Sequence, residues 1–179
     1  ILASEPYGLT LLPWPNTDAN GESMDSLSAA DLAVLSTALL AWWARHGRGG
    51  IPWKLLPGGE RPAPDQELDP YSIWIAEVML QQTQLAVALP YWVRWMAAFP
   101  TIEALAAASL DEVRLQWQGL GYYSRARRLH EAAQRLVGKS WPRALEEWMA
   151  LPGIGRTTAG SILSSAFNAS LPILDGNVK

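Results

Sequence analysis

The apolar residues of this chain recur at the spacing of α-helices. One helical face after Ser28 consists of Leu32, Leu35, Leu39 and Trp42. Ser28 and Asp31 are typical of a helix start, and the glycines within 47–50 are typical of its end. Further helices are predicted at residues 71–82, 85–98, 101–108, 110–117, 123–137, 143–150 and 157–167. No segment alternates apolar and polar residues as strands do, so the fold is predicted to be all-α.

Two segments lack helical spacing. Residues 1–25 mix proline, glycine and short polar side chains, and they are predicted to form a loose arm. Residues 56–70 contain prolines, glycines and several acids, and they are predicted to be a loop insertion. Pro70 suits the first turn of the following helix, because the N–H that it lacks would be unpaired there.

Composition restricts the possible functions. The sequence contains no cysteine, which excludes disulfides, thiolate nucleophiles, zinc fingers and cysteine-bound iron–sulfur clusters within these residues. Its two histidines are too few for a histidine-rich metal site. No apolar run reaches the ~18 residues of a membrane helix, and the N-terminus does not resemble a signal peptide. We therefore expect a soluble, intracellular domain with no metal ligands among these residues.

Charge is distributed unevenly along the chain. The net charge is −3, yet residues 113–156 carry eight basic and three acidic side chains. A local basic stretch of this kind permits binding to a polyanion such as nucleic acid. The chain also has ten tryptophans, of which we expect most to lie in the core and a minority to be able to stack on bases.

The sequence Leu-Pro-Gly-Ile-Gly-Arg-Thr-Thr at residues 151–158 predicts a tight turn between two helices. Gly153 and Gly155 would let a ligand approach the backbone closely, and the N–H groups at the start of the second helix would form an anion site. With Arg156 beside them, this geometry suits a DNA phosphate. The alternative is a simple helical hairpin in which the glycines only form the turn.

Two carboxylates differ in what their surroundings predict. Glu77 is a lone charge within an apolar helical segment, so burial would raise its pKa and make it a candidate general acid. The alternative is an exposed glutamate on a helix. The amides of Gln81, Gln82 and Gln84 follow it and suit the reading of base edges. Asp175 precedes a glycine, and taken alone it is a helix-cap or turn residue.

Four motifs occur together and in order along the chain. They are Glu-Val-Met-Leu-Gln-Gln-Thr-Gln at 77–84, Gly-Leu-Gly-Tyr-Tyr-Ser-Arg-Ala-Arg at 119–127, the hairpin at 151–158, and Leu-Asp-Gly-Asn-Val-Lys at 174–179. Together they resemble the adenine DNA glycosylases of the MutY type, within the helix-hairpin-helix DNA glycosylase superfamily. Each motif alone is a weak or moderate signal, whereas the combination is specific.

This resemblance implies a domain organisation. Residues 71–170 would form a six-helix barrel that contains the helix-hairpin-helix at about 143–167. Residues 26–55 would be a helix of a second helical domain, and residues 171–179 would begin a C-terminal segment that is truncated. In the complete family member, later cysteines would bind an iron–sulfur cluster. We further expect a monomer that acts on double-stranded DNA in the cytoplasm, associated with a bacterial nucleoid, and that has no membrane partner.

The resemblance also implies roles for individual residues. Glu77 would be the general acid that protonates adenine, and Asp175 the carboxylate that stabilises the positively charged sugar. Trp53 would lie near the adenine pocket, and Asn177 would assist Asp175. The residues that would contact DNA are Gln82 and Tyr122, which insert into the duplex, together with Thr83, Arg125, Pro152, Gly153, Ile154, Gly155, Arg156 and Thr157.

Thr157 bears on the type of glycosylase. In superfamily members that also cleave the strand, such as endonuclease III, a lysine follows the hairpin and forms a Schiff base with the sugar. Threonine has no amine, so the implied activity is monofunctional hydrolysis of the N-glycosidic bond of adenine mispaired with 8-oxoguanine or guanine. Two alternatives stay open: an endonuclease III-like glycosylase that acts on oxidised pyrimidines, and a noncatalytic fragment that only binds DNA.

Overall fold

The computed structural model describes residues 28–171, and the regular structure in that range is entirely helical. The predicted all-α class is therefore confirmed. The chain divides into two compact units, Ile1–Ile51 and Pro52–Lys179. No helix within the described range has both the length and the apolar composition needed to cross a membrane.

The first unit contributes one described helix, α1, which spans Ala29–His46. Ser28 and Asp31 form a capping box at its start: the Ser28 hydroxyl accepts from the N–H of Asp31, and the Asp31 carboxylate accepts from the N–H of Ser28. The helix ends at Gly47, within the glycine-rich segment that predicts its end. Local signals in the sequence are thus sufficient to place both ends of α1.

The second unit contains seven α-helices among its described residues. They are α2 (Pro70–Leu80), α3 (Leu85–Ala98), α4 (Ile102–Ala107), α5 (Leu110–Trp117), α6 (Ser124–Leu136), α7 (Leu145–Met149) and α8 (Arg156–Phe167). A short 3₁₀ turn, Pro52–Lys54, precedes them. The resemblance groups this turn with residues 26–51, whereas the structure assigns it to the second unit. Trp53 packs there against Trp92 of α3, with ring centroids 5.2 Å apart.

Two helix boundaries lie two residues inside the predicted ones, each for a local reason. Helix α2 stops at Leu80 rather than at residue 82, because Gln82 adopts a left-handed backbone with φ 56°. Helix α7 starts at Leu145 rather than at residue 143. The carboxylate of Glu147, in the first turn of α7, accepts hydrogen bonds from the N–H groups of Arg143 and Ala144, so these two residues precede the helix instead of extending it.

Helix α2 lies at the centre of the second unit, where it packs against α3, α6, α8 and the 3₁₀ turn. Seven of its eleven residues are buried, which explains why the segment is apolar on nearly every side. Large side chains fill the core around it, and those that are fully buried include Trp74, Trp95, Trp117 and Trp148. A close-packed core of this kind holds the end of α2 in one position.

Candidate nucleic-acid interface and catalytic pocket

The turn between α7 and α8 presents backbone N–H groups at the surface. Gly153 has φ +81°, a left-handed conformation that glycine adopts without steric cost. Ile154 is buried, and its N–H donates to the carbonyl of Leu151, which anchors the turn from inside. Gly155 precedes α8, and within the described residues no side chain caps the first N–H groups of that helix. These donors and the positive end of the helix dipole favour an anion.

The predicted hairpin residues lie together. Gly153, Gly155, Arg156 and Thr157 are exposed and Pro152 is partly exposed, whereas Ile154 faces the core. The side chain of Ile154 therefore packs rather than reaching a ligand. The exposed members form the surface that the sequence predicts for a phosphate.

Two exposed side chains lie on strained turns next to the core. Gln82 follows α2 with φ 56°, and Tyr122 precedes α6 with φ 48°. A left-handed backbone costs a non-glycine residue on the order of 1–3 kcal/mol, and such residues cluster at functional sites. Tyr122 exposes 63% of its surface, which leaves the ring available for stacking. Both side chains are exposed, as insertion into a duplex requires.

Arg125 does not lie where the predicted DNA contact requires it. It is only 7% exposed, and its guanidinium donates to the end of α2 and to the loop before α6. The acceptors, at 2.5 to 3.5 Å, are the carbonyls of Val78, Met79, Gln81, Leu120 and Gly121 and the hydroxyl of Thr83. Burial lowers the pKa of Arg125, and these oxygens stabilise its charge. Arg125 and the Thr83 hydroxyl therefore hold the protein's own backbone instead of facing a ligand.

Gln81 connects the end of α2 to the hairpin. Its side-chain amide donates to the Thr158 hydroxyl at 3.1 Å and to the Gly153 carbonyl at 3.4 Å. The three glutamines that suit base edges therefore separate into two groups. Gln82 and Gln84 are exposed, while Gln81 holds the hairpin against α2.

Glu77 lies on α2 and is partly buried, as its apolar neighbours predict. Burial raises the pKa of this carboxyl above 4.5, because the charged form would lose hydration. The nearby Ser161 side chain of α8 and the positive charge of Lys54 oppose that rise. A carboxyl with a raised pKa keeps its proton closer to neutral pH and can donate it to a bound group.

The indole ring of Trp53 is buried, so it supports the residues near Glu77 and does not face a ligand. It is 3% exposed in the 3₁₀ turn, and it packs against Trp92. The next residue is Lys54, whose charge acts on the Glu77 carboxyl. Trp53 thus fixes the turn that carries Lys54.

Arg128 is a candidate that sequence reasoning missed. It is exposed on α6, and its aliphatic stem lies against the hairpin: a methyl group at Gly153 would come within 3.1 Å of Arg128 Cβ and 3.2 Å of Cδ. Among residues 28–171, no carboxylate forms an ion pair with it. In the sequence, only the excess of basic residues within 113–156 indicates a role for Arg128.

Residues 75–179 match the sequence pattern of HhH-GPD superfamily base excision DNA repair proteins. That range contains Glu77, both strained turns and the hairpin. The chain belongs to this superfamily. The match includes more than half of the chain.

This HhH-GPD protein is similar to several curated proteins that are named adenine DNA glycosylase. It is 44% identical over 153 residues to the adenine DNA glycosylase of Mus musculus and 43% identical over 155 residues to that of Homo sapiens. The identity is 40% over 149 residues to the adenine DNA glycosylase of Buchnera aphidicola subsp. Baizongia pistaciae (strain Bp). These alignments cover 82–83% of the chain but 27–39% of the relatives. The chain therefore spans well under half the length of the curated relatives it matches.

Solved structures confirm the fold of this HhH-GPD protein. A thermostable thymine-DNA glycosylase matches with a TM-score of 0.67 at 23% identity, covering 81% of this chain and 63% of that one. Endonuclease III in a non-covalent DNA complex matches with a TM-score of 0.62 at 23% identity, covering 82% and 64%. At this identity the likeness establishes the helix-hairpin-helix glycosylase architecture and nothing further about chemistry.

Asp175 and Asn177 lie outside the residues that the structure describes. Their predicted roles beside the sugar therefore stay predictions.

The residues present do not fit an iron–sulfur cluster. Such clusters are held by cysteine thiolates, and the sequence contains none. Within residues 28–171, no group of three or more histidine, cysteine, aspartate or glutamate side chains is placed to hold a metal.

Proposed function

We propose that this protein is a monofunctional DNA glycosylase that hydrolyses the N-glycosidic bond of adenine mispaired with 8-oxoguanine or guanine. The observation that carries the proposal is Glu77, a partly buried carboxyl with a raised pKa on the helix that Gln81 ties to the hairpin. The names of the curated relatives support adenine as the base. Thr157, which follows the hairpin arginine, supports hydrolysis without an amine nucleophile.

The interface binds double-stranded DNA through its backbone phosphates. One phosphate binds the N–H groups at the start of α8 and the side chain of Arg156, as phosphates do at other helix N-termini. Arg128 lies against Gly153 and supplies a second cation beside the same turn. Gln82 and Tyr122 enter the duplex where the adenine leaves it, since the sugar carbon cannot be reached inside the base stack. One chain provides this whole surface, in line with a monomer.

The reaction then uses Glu77 as a proton donor and acceptor. The neutral carboxyl donates its proton to a ring nitrogen of the extruded adenine, and the bond between the sugar carbon and adenine breaks with its electron pair on the base. The sugar is left with positive charge, which we assign to Asp175 to stabilise. Water attacks the sugar carbon and gives its proton to the Glu77 carboxylate. The products are free adenine and an abasic site, and Glu77 regains its proton.

Base release from duplexes with single defined lesions tests this proposal. We expect the protein, expressed from its full reading frame, to release adenine opposite 8-oxoguanine and opposite guanine in single-turnover reactions. The strand stays uncut, and borohydride traps no covalent adduct, because residue 157 has no amine. Release of an oxidised pyrimidine with trapping would favour the endonuclease III-like alternative. Duplex binding without release of any base would mean that the protein only binds DNA.

A further inference from the structure

Arg125 joins the two turns that carry Gln82 and Tyr122. The Nη1 atom donates to the carbonyls of Val78, Met79 and Gln81 at the end of α2. The Nη2 atom donates to the hydroxyl of Thr83 and to the carbonyls of Leu120 and Gly121 before α6. The Gln81 carbonyl belongs to the peptide bond that leads into Gln82, and the Gly121 carbonyl to the one that leads into Tyr122. One guanidinium therefore binds the carbonyl of the peptide bond that precedes each of the two strained residues.

The same guanidinium also contacts the ring of Tyr122. Its central carbon lies 5.4 Å from the Tyr122 ring centroid and 5.3 Å from that of Trp117. Trp117 is fully buried, so Arg125 connects the exposed tyrosine to the rigid core. The orientation of Tyr122 is thereby tied to the same residue that fixes its backbone.

The geometry of these contacts requires arginine. A planar guanidinium presents donors in a fixed fork, whereas a lysine ammonium is a point charge with three donors on a flexible stem. Lysine at this position would keep the charge but could not hold both turns at once.

We propose that Arg125 is a positioning residue that sets the spacing between Gln82 and Tyr122, and thereby sets how well the protein distinguishes mispaired from matched DNA. The inference rests on the proposed function, because it requires both side chains to insert into the duplex. It replaces the direct DNA contact that the sequence predicts for Arg125.

The test compares dissociation constants for a duplex with adenine opposite 8-oxoguanine and for a matched duplex. For Arg125→Lys we expect the preference for the mispair to fall roughly tenfold, about the effect of losing one stacked base. The affinity for the matched duplex stays unchanged. Arg127→Lys is the control, because Arg127 is exposed on the same helix, and it keeps the full preference.

A second comparison separates positioning from general support of the fold. In a Gln82→Ala/Tyr122→Ala background, Arg125→Lys should change the preference no further, because the side chains through which it acts are gone. An equal loss in that background would overturn the inference, as would full preference in Arg125→Lys alone. Absence of adenine release by the unaltered protein is a separate result and would overturn the proposed function instead.

Urea denaturation shows whether Arg125→Lys is folded. If it is not, Thr83→Val replaces it, since this change removes the hydroxyl that accepts from Nη2 on the Gln82 side and that donates to the Gln81 carbonyl at 3.4 Å. We expect Thr83→Val to lower the preference in the same direction by a smaller factor. A Thr83→Val protein that is folded and retains the full preference would overturn the inference.

Discussion

Glu77→Gln lowers the single-turnover rate of adenine release by roughly 10²–10⁴-fold, the usual contribution of a general acid. Glutamine keeps the size of the side chain but has no proton that it can transfer to the base. Affinity for the mispaired duplex stays nearly unchanged, because Glu77 lies on α2 and not in the hairpin that contacts phosphates. Glu103→Gln, at an exposed position of α4, is the control and retains the full rate. A normal rate in Glu77→Gln would remove Glu77 from the mechanism.

The same variant changes the pH dependence of stability. The pKa of Glu77 is higher in the folded protein than its ordinary value of 4.5, so the folded state binds the proton more tightly. This carboxyl therefore makes the free energy of unfolding fall as pH rises from 4.5 through the raised pKa. Relative to the unaltered protein, Glu77→Gln gains stability at about pH 8, and the gain disappears at about pH 4. Urea denaturation at both pH values measures the difference, and a gain only at the lower pH would contradict the assignment.

Gly153→Ala lowers the free energy of unfolding by about 1–2 kcal/mol through the backbone alone, because an L-residue at φ +81° is strained. The added methyl group also presses on the Arg128 stem, 3.1 Å from Cβ and 3.2 Å from Cδ, so the stem must move. We expect weaker DNA binding as well, since both the turn and Arg128 are displaced. Thermal or urea denaturation and duplex affinity measure the two effects.

Gly155→Ala is the matched comparison two residues later. Gly155 has φ −93°, and a methyl group there meets nothing within 4 Å, so stability changes by no more than about 0.5 kcal/mol. Duplex affinity still falls, because the methyl group occupies exposed space before α8 where a phosphate would approach. Equal destabilisation by the two substitutions would contradict the structural distinction between the glycines.

Helix positions follow from local signals in this sequence. Ser28 with Asp31 and the proline at position 70 lie at the starts of α1 and α2, as the sequence predicts. Helix ends are harder to predict from the sequence, because they depend on contacts outside the helix. Gln82 ends α2 in a strained turn whose carbonyls Arg125 holds, and nothing in residues 71–82 indicates that interaction.

The candidate site is predictable where one residue's neighbours in sequence determine its environment. The apolar segment around Glu77 predicts its burial, and the two glycines predict the hairpin. Helical spacing also places Arg125 four residues before buried Leu129 and seven before buried Ala132, so the periodicity of α6 itself indicates the buried face. The positive charge of Arg125 suggests the opposite, namely a side chain that faces solvent.

Other features depend on residues far apart in the chain. Arg128 becomes part of the interface because its stem lies against Gly153. The amide of Gln81, unlike those of Gln82 and Gln84, is not exposed, and it donates a hydrogen bond to the Thr158 hydroxyl. No local pattern indicates either contact, since each one requires the packing of α2, α6 and α8 to be known.

The structure of Glu77→Gln bound to a duplex with adenine opposite 8-oxoguanine tests the central claim most directly. The substitution slows release, so the adenine stays attached to its sugar. We expect an extruded adenine with a ring nitrogen within hydrogen-bond distance of the side chain at position 77. Gln82 and Tyr122 occupy the duplex at the gap, and a phosphate lies on the N–H groups before α8. An adenine that remains stacked, or one extruded away from position 77, would contradict the account.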